Sequence, residues 1–160
     1  GTASKKIGNV TVGAIVAVNA FGDVVDPETG KIIAGPRDIE KGGFLNTIEV
    51  MINSKELIDI TPTNTTIGVV ATDALLDKEQ VNKMAQMAHD GLARAIRPVH
   101  TMFDGDAVFA VATGKAGPHD VTVLGAMSAE VMAEAIVRAV SQAEGLAGIP
   151  AARDMEQRGA

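Results

Sequence analysis

The chain has no cysteine, no tryptophan and no tyrosine, and only four phenylalanines among 160 residues. Without cysteine there can be no disulfide and no thiolate metal centre, and a reducing cytoplasm is the expected location. The shortage of aromatics leaves Val, Ile, Ala, Leu and Met to build the interior. At 46% hydrophobic residues there is material for one core of ordinary size. Positive charge is also scarce: 14 basic against 20 acidic residues gives a net charge of −6, and no basic run is longer than Lys5-Lys6. Nucleic acid is therefore not an expected partner. No apolar run approaches the roughly 18 residues of a membrane span, so no membrane partner is expected either. The three histidines, His89, His100 and His119, show neither helical i, i+4 spacing nor a ligand-like cluster. The sequence thus predicts no metal and no cofactor, and gives each histidine a surface or structural role. The start, Gly1-Thr2-Ala3-Ser4, has no Met and no signal-like apolar stretch, which reads as a processed or truncated piece.

What is present is an alternation of apolar strands and amphipathic helices. Ile7 to Asn19 is rich in Val and Ile and reads as one or two strands of a covered sheet. From Gly22 to Gly43 the punctuation by Asp26-Pro27-Glu28-Thr29-Gly30 and Gly35-Pro36 predicts a hairpin-like excursion and a long loop, and Phe44 to Lys55 a helix. Thr66 to Thr72 reads as a buried strand. Asp77 then caps a helix running to about Ile96, with Val81, Met84, Ala88, Leu92 and Ala95 on one stripe and Pro98 preventing its continuation. Ala107 to Thr113 reads as a further strand. A last helix is expected from about Val121 to Glu144, stopped by Gly145, followed by a frayed polar tail from Ala151 to Ala160. Strands apolar on both faces, interleaved with amphipathic helices, imply a layered α/β domain.

Two short motifs bear on chemistry. Thr61-Pro62-Thr63-Asn64-Thr65-Thr66 joins a polar run to an apolar strand with no helix between. Such a junction is where a self-cleaving precursor would cut before a threonine, whose hydroxyl then serves as nucleophile and whose freed α-amine serves as base. The same residues also read as an ordinary loop feeding a strand. Asp104-Gly105-Asp106 sets two carboxylates two residues apart at the entry of a strand. If extended they share a side and could be coupled, one holding a proton to tune a neighbouring hydroxyl or amine. The spacing is equally that of a solvent turn, and a calcium loop would need oxygen ligands the sequence does not supply.

Taken together, Asn64-Thr65-Thr66-Ile67-Gly68-Val69-Val70-Ala71-Thr72 and Arg97-Pro98-Val99-His100-Thr101-Met102-Phe103-Asp104-Gly105-Asp106-Ala107-Val108-Phe109-Ala110 closely resemble the DmpA-type family. That family comprises L-aminopeptidase/D-esterases, β-peptidyl aminopeptidases and nylon-oligomer hydrolases of the NylC-like branch, all self-processing. Gly1-Thr2-Ala3-Ser4 and Val12-Gly13-Ala14-Ile15-Val16-Ala17-Val18-Asn19 resemble its pre-cleavage half. The resemblance implies a four-layer αββα sandwich of the N-terminal-nucleophile type, with residues 1–160 as a single domain fragment supplying its C-terminal part. It implies cleavage between Asn64 and Thr65, so that residues 1–64 end the large chain and residues 65–160 form the small one. It implies Thr65 as nucleophile, Asn19 as oxyanion-hole donor, and Asp104 and Asp106 as supports of the nucleophile. The Asp pair and the Asn-Thr junction look like the nylon-oligomer hydrolase branch. Family precursors carry a long upstream segment, including a Tyr of the oxyanion hole, that this chain lacks. The expected activity is hydrolysis of small amino-acyl or ω-amino-acid oligomer amides by a homo-oligomer, tetrameric or larger. Acyl transfer to an amine, as in ornithine acetyltransferases, and a non-catalytic assembly domain are the competing readings.

Overall fold

In the computed structural model, which describes residues 1–54 and 64–156, the chain opens with a hairpin. Strand β1 (Thr2–Ile7) turns at Gly8-Asn9 into β2 (Val10–Asn19), and the two pair antiparallel from Thr2↔Ile15 to Ile7↔Val10. The turn uses Gly8 at φ 58, a region glycine enters without steric cost. The one or two strands expected over residues 7–19 are thus the end of β1 and the whole of β2, the second arm of the hairpin. Two three-residue strands, β3 (Asp23–Val25) and β4 (Ile32–Ala34), form the excursion as a small hairpin. Helix α1 (Thr47–Asn53) is shorter than the stretch expected over 44–55, because Asn46 caps it by accepting from the Ile48 and Glu49 amides.

Residues 61–63, the first part of the predicted junction, lie outside the described residues. From Asn64 the chain enters β5 (Thr65–Thr72), followed by α2 (Lys78–Ala95), the short β6 (Ile96–Arg97), β7 (Ala107–Ala112) and α3 (Val121–Ser141). The start of α2 follows the sequence: Asp77 accepts from Gln80 N, and the Gln80 side chain accepts from Asp77 N, a complete capping box. Gly145 is not the stop of α3. The helix ends at Ser141, and residues 141–149 are all exposed, so no buried contact sustains further turns. The tail is not frayed at its start: α4 (Ala152–Glu156) forms after a buried Ala151, whose amide Asp154 accepts. Residues 157–160 lie outside the described residues.

The main sheet has the order β1-β2-β5-β7, antiparallel except for the parallel β5–β7 pair; β4-β3-β6 is a small second sheet. Helices α2 and α3 cover one face of the main sheet. Val10, Val12, Ala14, Val16, Thr66 and Val70 point into that layer, alternating with residues that point away. Met84, Leu92, Leu124, Met132 and Ile136 fill it from the helices, each at 0–1% exposure. Burial of each such side chain contributes about 1.5–3 kcal/mol. Helices α2 and α3 approach closely at Gly91, where a Cβ would lie 2.5 Å from the Ala129 carbonyl oxygen. The opposite face carries a register row, Ile15, Val69 and Phe109, beside Ile67 and Val111, with Ile15 57% and Phe109 60% exposed. The strands are thus apolar on both faces, as the sequence implies, and helices cover one.

Candidate functional site

Thr65 and Asn19 are cross-strand partners at the end of the antiparallel β2–β5 ladder. Because side chains alternate along a strand, both belong to the face turned away from the helices. On the other side of β5, Asn64 forms a parallel bridge with Asp104. Through it the Asn64 amide donates to the Phe103 carbonyl at 3.4 Å, and the Gly105 amide donates to the Asn64 carbonyl oxygen at 3.0 Å. That carbonyl oxygen also accepts from the Thr65 hydroxyl at 2.5 Å. Gly105 brings its backbone close to the nucleophile candidate: a Cβ there would stand 3.0 Å from Thr65 Oγ1. The residue pair at the predicted cut, the Asp-Gly-Asp motif and Asn19 therefore converge at one end of β5.

The two aspartates do not share one environment. Strand β7 starts only at Ala107, so Asp104 and Asp106 precede the extended segment and need not face the same way. Asp104 accepts from Phe21 N at 3.1 Å through Oδ1, and from the Thr101 hydroxyl at 2.6 Å and amide at 3.3 Å through Oδ2. It ties the end of β2 to the turn before β7, and Phe21 and Phe103 pack beside it with ring centroids 5.2 Å apart. Asp106 accepts from Thr66 N at 2.9 Å through Oδ1, and its Oδ2 lies 2.8 Å from His100 Nδ1. The Asp106 side chain is 4% exposed and that of His100 39%.

His100 is the residue that sequence reasoning placed in a bland role, and its ring also lies 5.0 Å from that of His89. Spacing could not reveal this: His89 sits on α2, while His100 is turned toward it by a backbone at φ 54. The pKa of His89 is lowered, first by burial and then by the neighbouring charge of His100, partly offset by Asp106 and Asp90. His119 keeps a structural place, its ring nitrogens 3.1 Å from the Gly117 carbonyl and 3.2 Å from Asn9 Oδ1. Among the described residues no group of three or more His, Cys, Asp or Glu could hold a metal ion, and no helix is long and apolar enough to cross a membrane.

A mixed α/β chain whose main sheet is covered on one face by two helices fits part of the N-terminal-nucleophile hydrolase fold. The model of peptidase family S58 matches residues 1–153, and the chain belongs to that family, the DmpA-type family. It is 40% identical over 179 residues to an uncharacterized aminopeptidase of Mycobacterium tuberculosis, covering 97% of this chain and 51% of that protein. It is 29% identical over 156 residues to a 6-aminohexanoate-oligomer endohydrolase of Paenarthrobacter ureafaciens, covering 87% of this chain and 43% of that protein. Among solved structures, the L-aminopeptidase D-Ala-esterase/amidase of Ochrobactrum anthropi superposes with a TM-score of 0.60 at 19% identity, over 93% of this chain and 41% of that one. A Burkholderia β-aminopeptidase gives 0.59 at 24% identity, over 99% and 48%. The chain spans about half the length of the curated relatives it matches.

Proposed function

We propose that this chain is the catalytic half of a self-cleaving amidohydrolase whose nucleophile is Thr65. The observation that carries the reading is the Asn64 carbonyl, whose oxygen accepts both the Gly105 amide and the Thr65 hydroxyl. An amide N–H aimed at a carbonyl oxygen favours the negative charge that oxygen gains under attack. In the cut, Thr65 Oγ bonds to the Asn64 carbonyl carbon and loses its proton. The C–N bond then breaks, with a proton passing to the departing nitrogen, and the resulting ester is hydrolysed by water to an Asn64 carboxylate and a free Thr65 amine. In turnover Oγ attacks a substrate amide carbonyl, the α-amine takes the hydroxyl proton and passes it to the leaving amine, and water clears the acyl ester. Asn19, opposite Thr65, stabilises the oxyanion through its side-chain amide. Asp104 and Asp106 hold the strand ends that frame the nucleophile.

The relatives named as aminopeptidases and as 6-aminohexanoate-oligomer endohydrolases support amides of amino-acyl peptides or ω-amino-acid oligomers as the substrate class. The exposed row of Ile15, Ile67, Phe109 and Val111 is the face on which the second sheet of the sandwich, from an upstream part of the precursor, would lie. Residues 1–64 and 65–160 would be the two mature pieces, assembled as a homo-oligomer. N-terminal sequencing of the denatured protein at its full natural length tests the reading. A second terminus reading Thr-Thr-Ile-Gly-Val is expected, and Thr65→Ala should leave one uncut chain without amidase activity. A folded, active and uncut wild-type chain would sink it.

A further inference from the structure

We propose that His100 is a positioning residue for the Asn64–Thr65 junction, acting through Asp106: its Nδ1–H holds one oxygen of the Asp106 carboxylate so that the other receives Thr66 N–H. The inference rests on Thr65 being the nucleophile and adds a residue to that machinery which touches neither substrate nor the reacting atoms. A carboxylate only accepts, so at the 2.8 Å contact the imidazole Nδ1 carries the proton. The Asp106 side chain is 4% exposed, so water cannot readily replace a lost donor, and a buried carboxylate oxygen without one is costly. The energetic consequence falls on Thr66 N–H, which is bonded at 2.9 Å to the same carboxylate and is one peptide unit from the Thr65 hydroxyl. Thr66 is fully buried and its hydroxyl has no hydrogen-bond partner among the described residues, so that side-chain oxygen offers no second polar anchor at this position.

The backbone at His100 supports a selected placement. Its φ of 54 lies in the left-handed region, where among non-glycine residues Asn, Asp and His are enriched. This turn delivers the ring to Asp106, and the His89 ring, tilted by 59° at 5.0 Å, confines it from α2. The same backbone preference supplies a clean test. Asn and Asp both tolerate φ above zero and are nearly isosteric, and Asn Nδ2 stands as many bonds from the backbone as His Nδ1. His100→Asn keeps a donor toward Asp106, whereas His100→Asp puts a second carboxylate there.

In the protein at its full natural length, His100→Asp should slow self-cleavage and kcat by roughly 10–100-fold with KM little changed, the rate equivalent of a hydrogen bond to a charged group. His100→Asn should stay within about threefold of wild type, since it retains the donor. Amide exchange at Thr66 should be faster in the Asp variant than in the Asn variant. Equal activity of the Asp variant and wild type, or equal impairment of the Asn and Asp variants, overturns the proposal. If the wild type itself shows no second terminus, the nucleophile reading fails instead; Thr66 exchange then decides the His100 arrangement, and indistinguishable exchange in the two variants overturns it.

Discussion

Asn19 stands opposite Thr65 because the β2–β5 register places it there, and that pairing makes it the group to test after the nucleophile. Asn19→Ala should lower kcat by on the order of 10²–10³ while the cut at Thr65 still forms, as expected for loss of one oxyanion donor. Steady-state kinetics on the cleaved variant measure this, and an unchanged kcat would leave Asn19 the end of β2 with no part in the chemistry. Thr65 and the aspartates were legible as candidates from the polar junction and the Asp-Gly-Asp spacing, each with an ordinary loop or turn as the competing reading, while the role of Asn19 came from the family resemblance. The separate duties of Asp104 and Asp106 were not legible. They depend on β7 starting after the motif and on partners distant in sequence, Phe21 just past β2 and Thr66 in β5. Nor was His100, whose partner is reached through a left-handed turn that leaves no periodic trace.

The helices were legible where their signals are local and misread where packing decides. Asp77 with Gln80, and Asp120 accepting from the Thr122 and Val123 amides, set the starts of α2 and α3 within a few residues of sequence. Those amide contacts also hold the pKa of Asp120 low. The end of α3 was placed too late because Gly145 is a local signal, while the helix stops where its buried face stops. Packing likewise explains why Gly91 lies inside α2. Alanine there would ordinarily favour a helix by about 0.5–1 kcal/mol, yet its Cβ would stand 2.5 Å from the Ala129 carbonyl oxygen and 2.7 Å from Met132 Cβ. Gly91→Ala should therefore destabilise, by about 1–3 kcal/mol as overpacking does. Chemical denaturation measures it, and a stabilised variant would show that the helix pair can part without cost.

For the molecule as a whole, the layered α/β class was legible because short runs apolar on both faces alternate with period-3.6 stripes. The order of the strands was not, since β5 lies between β2 and β7 by long-range pairing alone. That order has a consequence for a chain cut before Thr65. One piece would hold β1 and β2, the other β5, β7, α2 and α3, and α3 packs across β1 and β2. Neither piece could leave without dismantling the shared sheet, so the two should migrate as one body on a native gel and separate only in denaturant. Self-cleavage would then turn folding from a unimolecular event into an association, with a melting temperature that rises with protein concentration. Uncut Thr65→Ala should show a weaker dependence, set by the association of whole subunits alone, and should refold after dilution from denaturant at concentrations where the cut protein does not. Maturation would in that sense work as a ratchet: the sheet is assembled once while the chain is continuous, and afterwards its persistence rests on slow unfolding.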